Sequence, residues 1–438
     1  MNYFSSKNRK MKLILRFILL FPLILVNGVS RAQLDFSDYF TGERFRYDFV
    51  LAGNFEELRV YPLSQKREPH WAGSKKSLVD TMGYGTYRYR VMDDSTGKVI
   101  FSRGFCTLAQ EWQTTAEAKR SEKAFYQALF FPFPKQKVRL SVDSRNWQGE
   151  FVPVFETVVD PADYFIIRDK PEEYEVFTVL GNGLPDTHVD LVFLAEGYTA
   201  GEKEKFVMDA ARMCENIMNV SPFRENRDKF NIHAVWTPSQ EGGTDIPGEN
   251  IYRNTRFNST FYTFDVARYL TTSDMRTIYD AVSGVPWDHL LVLVNSERYG
   301  GGGFYNFLTV CTAGHALTPK VLVHELGHAF AGLGDEYYDS EVAYENYYNL
   351  AVEPWEPNLT TLVDFASKWK HLVPDSIPVP TPRTPEYLKV TGVFEGGGYL
   401  SKGIFSPMQN CRMKSNGPEE FCSACKRAIL AAIEWHTR

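Results

Sequence analysis

Alternation of apolar and polar positions dominates the first third of the chain. Tyr87-Arg88-Tyr89-Arg90-Val91 changes side with every residue, Asp93 to Gly97 supplies turn residues, and Val99 to Ser102 returns, which predicts a hairpin. Leu58 to Tyr61, Gln127 to Phe133, Val138 to Val142 and Phe151 to Val158 continue as short strands, with turns expected at Pro134-Lys135 and Asp143-Ser144. Short strands separated by turns predict an antiparallel β-sandwich domain over residues 33–160. Such a domain recognises a substrate or the cell envelope, or it simply packs against its neighbour, and simple packing is the commoner case. Residues 161–186 break the pattern and read as a linker, with charged Arg168-Asp169-Lys170 and the turn-forming Gly181-Asn182-Gly183.

Beyond the linker the period changes. Val189 to Leu194 is a buried strand, Gly201 to about Met218 a helix with Thr199 as its cap, and Phe230 to Trp236 a second strand. Ser273 to Val282 is helical, and His289 to Asn295 is a strongly apolar third strand. Strands alternating with helices predict an α/β (α+β) domain over residues 187–438. Gly300 to Gly303 precede another short strand, Phe307 to Cys311, a sheet edge along which an extended peptide can pair, or else a mere loop. A proline-rich loop, Pro374 to Pro385, and a closing amphipathic helix, Phe421 to His436, complete the reading. There are no internal repeats.

Candidate chemistry concentrates in Thr318 to Tyr338, TPKVLVHELGHAFAGLGDEYY. His324-Glu325-Leu326-Gly327-His328 is an HExxH motif, whose two histidines lie one helical turn apart on one face and can converge on a metal ion. Glu325, beside the first ligand, can reach a metal-bound water as general base. Thr318 is the expected N-cap and Pro319 the first helical residue, while Gly332-Leu333-Gly334 ends the helix. Asp335 and Glu336 follow at once, and a catalytic zinc needs one more protein ligand, with a fourth position left to water. The tyrosine-rich run Tyr337 to Tyr348 offers hydroxyls that can stabilise an oxyanion, although tyrosines in a loop more often pack.

Charge and targeting narrow the setting. Lys7, Arg9, Lys10, Lys12 and Arg16 flank the apolar run Phe17 to Val26, and Ser30-Arg31-Ala32 offers a cleavage site, so residues 1–32 read as a signal peptide. The run is too short to span a bilayer comfortably. An exported protein is expected, secreted, periplasmic or at the cell surface. Without those residues the chain keeps 42 basic and 54 acidic residues, a net charge of −12, which argues against a nucleic-acid or anionic-membrane partner. No later stretch is apolar enough for stable membrane insertion. Of the six cysteines, Cys411 clusters with Cys422 and Cys425, and a disulfide from Cys411 to one of them is the expected bridge. A structural zinc on these three cysteines plus His436 is the lesser alternative, because the spacing is unlike paired-knuckle patterns.

Three features occur together: an HExxH helix broken by glycine, an acid just beyond, and a later turn with methionine. Together they resemble metzincin-type zinc peptidases, whose motif is HExxHxxGxxH/D, although Gly332 and Asp335 each fall one place late. The GLGDEY variant, upstream Leu194 to Tyr198, and downstream Cys411-Arg412-Met413 with Phe421 to Cys425 are more similar to a narrower group, the IgA-peptidase family of bacterial metallopeptidases. The resemblance implies a metzincin-like zinc peptidase domain behind a β-sandwich. It implies His324, His328 and Asp335 as ligands of one catalytic Zn2+, Glu325 as general base, and Met413, with Met408 second, as the Met-turn residue. Glu336 is a rival third ligand, and Glu345 is the candidate in a different class of HExxH enzyme. The implied activity is endopeptidase hydrolysis of a protein or peptide substrate. The competing reading is a catalytically silent, exported module that binds a glycan or protein.

Overall fold

In the computed structural model, residues 34–338 and 347–438 are described. The leader expected over 1–32, and Glu345, lie outside them. A short helix α1 (Phe36–Tyr39) leads into β1 (Phe40–Gly53) and β2 (Leu58–Glu68), then β3 (Tyr87–Asp93), β4 (Val99–Phe105) and helix α2 (Leu108–Gln113). Strands β5 (Lys123–Pro134), β6 (Val138–Arg145) and β7 (Phe151–Val159) complete the region. They form two antiparallel sheets, ordered β2-β1-β5 and β4-β3-β6-β7. The expected hairpin is β3–β4, with Tyr87 opposite Phe105.

Sequence pattern missed β1, and the reason is chemical. Its inward positions include Arg44, Arg46 and Asp48, which disguise a core strand as a polar one. All three are buried, and they are tolerated because they pair. Arg44 Nε meets Glu68 at 2.6 Å, and Arg46 Nε meets Asp48 at 2.6 Å. The turn expected at Asp143-Ser144 is instead part of β6. Asp143 is buried there between Arg88 and Arg90 at 2.7 and 2.8 Å, and the chain turns later, where Asn146 N–H bonds Glu150 C=O.

The second half is built on a six-stranded sheet. It comprises β8 (Glu175–Leu180), β9 (Val189–Glu196), β10 (Phe230–Trp236), β11 (His289–Val294), β12 (Gly301–Phe304) and β13 (Leu308–Thr312). The order is β12-β13-β11-β9-β10-β8, parallel at the centre and antiparallel at both edges. Two readings change here. The linker expected over 161–186 contains β8, whose half-exposed edge position hides it from a hydrophobicity scan. The edge beside the glycines is β12, the glycine run itself, with the expected edge strand β13 lying one position further in.

Successive β9 side chains point to opposite cores. Val189, Leu191, Phe193 and Ala195 pack with α3 (Lys203–Met218), α5 (Thr318–Ala331) and α6 (Ser423–His436). Val192 and Leu194 face the other way, toward α4 (Met275–Ala281) and the N-terminal sheets. Burial on both faces is why these strands read as continuous apolar runs. A last hairpin, β14 (Phe394–Gly397) and β15 (Leu400–Ser406), lies close to the end of α5 through Gly398 N–H, which donates to Asp335 C=O at 2.8 Å. Among the described residues no helix is long and apolar enough to cross a membrane.

Candidate metal centre

Helix α5 is anchored by Leu322, Val323, Leu326 and Phe330 in the core, which turns His324, Glu325 and His328 toward a cleft of about 690 Å³. Thr318 is the first helical residue; Leu317 takes the cap position, and neither side chain caps the helix. The expected stop is where the sequence puts it. Gly332 adopts φ 64°, the left-handed conformation that glycine tolerates, and its N–H closes on His328 C=O at 3.0 Å.

That stop directs both imidazoles. His328 Nδ1–H donates to Leu333 C=O, just past the glycine, at 2.5 Å, and His324 Nδ1–H donates to Arg412 C=O at 3.0 Å. With each Nδ1 proton committed to a carbonyl, the neutral form of each imidazole presents its lone pair at Nε2. The two Nε2 atoms lie 3.0 Å apart, and Asp335 Oδ1 lies 3.1 Å from one and 3.3 Å from the other. Tetrahedral bonds of ~2.0–2.1 Å place ligand atoms ~3.3 Å apart, close to this triangle.

Three lone pairs facing one another repel unless a cation or a proton sits between them. Asp335 Oδ1 is buried and has no hydrogen-bond donor among the described residues. Burial works against charge on His328, yet Asp335 beside it raises that imidazole to about 9. Burial likewise opposes ionisation of Asp335, but the two histidines hold its carboxyl far below the usual carboxylate range. The donor set therefore fits a divalent metal with nitrogen and oxygen preference. Glu325, half-buried at the same cleft, has its carboxyl raised by burial, and the two histidines oppose the rise.

The acid pair divides cleanly. Asp335 faces the histidines, and its other oxygen, Oδ2, accepts from Tyr399 O–H at 2.8 Å. Glu336 points away, into a pocket of cysteines, where Cys425 Sγ lies 3.3 Å from its Oε1. Asn358 fastens the residue just before the pair, accepting from Gly334 N–H at 2.7 Å and donating to Gly334 C=O at 2.9 Å. Neither Tyr399 nor Asn358 carries a motif, so neither was visible in the sequence.

Met413 is fully buried beneath the helix, so close to Gly327 that a Cβ there would lie 2.9 Å from its sulfur. Met408 packs only partly buried at the margin of the same core. Of the tyrosine-rich run, Tyr337, Tyr347 and Tyr348 line the cleft. Its far wall comes partly from the N-terminal region, through Cys106 and Glu111. The expected cysteine bridge is absent, since all six cysteines are free thiols. His436 does not join the cysteine cluster; its Nδ1 lies 3.3 Å from Asp288 Oδ1.

Two family profiles match the chain over most of its length. No curated protein matches it. The profile described as Peptidase M64 N-terminus matches residues 35–156, and the one described as IgA Peptidase M64 matches residues 178–389 and 383–433. The two-sheet region and the six-stranded α/β region thus each have their counterpart, and the chain belongs to the IgA peptidase M64 family.

Proposed function

We propose that the protein is an exported zinc-dependent endopeptidase, with His324, His328 and Asp335 holding the metal and Glu325 as general base. The supporting observation is the triangle of two imidazole nitrogens and one carboxylate oxygen, 3.0–3.3 Å on a side, with a second carboxylate, Glu325, at the same cleft. Bound there, zinc supplies a Lewis acid that polarises the scissile carbonyl and acidifies water. The chain's own residues do the rest. Glu325, in the cleft and of raised basicity, takes the proton of the attacking water and returns it to the leaving amine nitrogen. Tyr399 holds Asp335 in place, and the two backbone carbonyls hold the imidazoles in the tautomer that leaves Nε2 open.

The finer architecture follows the same reading. The three- and four-stranded sheets form a β-sandwich, and Met413 under Gly327 is the floor of a metzincin-like centre. The glycine edge strand β12 lines the cleft and suits an extended peptide laid along it.

Hydrolysis of an unfolded protein, measured with and without chelator, tests the proposal. Activity should vanish with chelator and return on adding zinc. Glu325→Gln should retain the metal by elemental analysis and lose at least ~100-fold in turnover. Parent-level turnover by that variant would remove Glu325 from the base role. Zinc held at His324, His328 and Asp335 with no hydrolysis in the parent would instead point to a binding module.

A further inference from the structure

We propose that Cys411, Cys422, Cys425 and Glu336 form a second, structural zinc site behind the first. Their ligand atoms all lie within 4.8 Å of one another, and all four residues are buried. Cys411 and Cys425 sulfurs are 3.9 Å apart, and Cys425 Sγ is 3.3 Å from Glu336 Oε1. Tetrahedral zinc with Zn–S bonds of ~2.3 Å spaces its sulfurs ~3.8 Å apart, and a sulfur and an oxygen ~3.5 Å apart.

Glu336 supplies an independent sign. Its side chain is 0% exposed, and Oε2 has no hydrogen-bond partner among the described residues. A carboxyl group buried among sulfurs with an open oxygen is costly unless a cation meets it. Asn358 Nδ2–H satisfies only Oε1, at 3.0 Å. Lys414 Nζ hydrogen-bonds the backbone carbonyl of Glu336 at 2.9 Å.

The surroundings suit thiolates. Cys422 and Cys425 form a Cys-x-x-Cys step at the start of α6, where the helix N-terminus favours negative charge. Backbone N–H groups already point at sulfur: Cys422 N–H to Cys411 Sγ at 3.2 Å, and Cys425 N–H to Cys422 Sγ at 3.5 Å. Three thiolates and one carboxylate around Zn2+ leave a net charge of −2, the same as a four-cysteine site. Four protein ligands leave no position for water, the mark of a structural rather than a catalytic ion.

The position gives the ion a purpose. It joins the Asp335–Glu336 bend, the Cys411–Met413 turn and α6. Those same pieces support the first site, since Arg412 C=O holds His324 and Met413 C=O accepts from Glu336 N–H at 2.8 Å.

Cobalt(II) substitution of the full chain tests the assignment, because thiolate-to-cobalt charge transfer in the near ultraviolet cannot arise from two histidines and an aspartate. The parent should bind two cobalt ions per chain and show that band. A His324→Ala, His328→Ala double variant, with every cysteine in place, should fall to one ion and keep the band undiminished. Cys422→Ser with Cys425→Ser should lose the band, and Glu336→Gln should weaken the thiolate-bound ion at least tenfold. A parent with one ion and no band, or a native disulfide between any two of the three cysteines by mass spectrometry, overturns the site. Unchanged affinity in Glu336→Gln removes Glu336 as the fourth ligand. None of these readouts uses peptidase activity, so the site stands or falls apart from the hydrolytic proposal.

Discussion

At the scale of single residues, the centre depends on groups that hold the ligands. Tyr399 O–H is a hydrogen-bond donor to the Asp335 oxygen that does not face the histidines. Removing an orienting partner of this kind typically costs 10–100-fold in metal affinity or activity. Tyr399→Phe should therefore weaken zinc about tenfold in a chelator competition while leaving the fold intact by circular dichroism. An unchanged affinity would mean that the other bonds at the bend, from Gly398, Asn358, Met413 and Lys414, hold Asp335 without Tyr399. That His324, Glu325 and His328 share one cleft was legible because a helix of known period places them together. Which of Asp335 and Glu336 faces the histidines was not legible by spacing alone, since adjacent residues in a bend face opposite ways. Asn358 at Gly334 and the cysteine pocket around Glu336 decide it, and both come from distant parts of the chain.

Among the elements, the strands with an unbroken apolar run were readable and those without one were not. β9 and β11 lie at the middle of a doubly covered sheet, and their buried polar residues, Asp190, Glu196 and His289, stand near the strand ends and leave the apolar runs Leu191 to Ala195 and Leu290 to Val294 unbroken. β1 carries buried arginines, β8 sits half-exposed at an edge, and β12 is mostly glycine, so each lacks the expected signal. The glycines of β12 are explained by distance. A Cβ on Gly303 would lie 2.2 Å from the backbone oxygen of Glu325, which cannot swing aside as a side chain can. Gly303→Ala should push β12 and α5 apart, costing about 1–3 kcal/mol or more and lowering both Tm and metal occupancy. Normal occupancy and Tm would show that the strand yields instead.

Strand β11, beyond β13 in the same sheet, carries a different liability. His289 is buried, with Nε2 3.0 Å from Thr309 Oγ1, and burial lowers it from 6.5 to about 3, aided by His436 and opposed by Asp288. Because the folded value lies below the unfolded one, the folded chain binds fewer protons between them. Stability is therefore lost as pH falls from about 6.5 toward 3, a loss of up to several kcal/mol. His289→Gln, neutral throughout, should start less stable at neutral pH but show a flatter fall in Tm on acidification. Parallel slopes in parent and variant would assign the acid sensitivity elsewhere.

For the whole molecule, the sequence suggested two domains and a linker, whereas the packing is continuous. A hydrophobic face gives no sign of which partner will cover it, so the sheet's second face could not be matched to the N-terminal strands in advance. In the folded chain Phe130 of β5 meets Tyr279 and Trp287 with centroids 4.8 and 4.9 Å away, and Cys106 N–H bonds Tyr305 C=O at 2.8 Å. Arg46 is the electrostatic form of the same union. It is 1% exposed, bonds Asp48 at 2.6 Å within its own strand, and reaches Asp280 at the end of α4 at 2.7 Å. Arg46→Met leaves Asp48 buried without its cation, and breaking a buried pair in this way costs about 3–5 kcal/mol. Because one core joins the two halves, that loss should not stay local. Release of the metal near α5 and the loss of far-ultraviolet ellipticity should shift to lower temperature together, in one transition. If the metal instead stayed bound while half the β signal melted, the N-terminal sheets would be an independent domain, and their contribution to the cleft wall would be a docked contact rather than part of one cooperative fold.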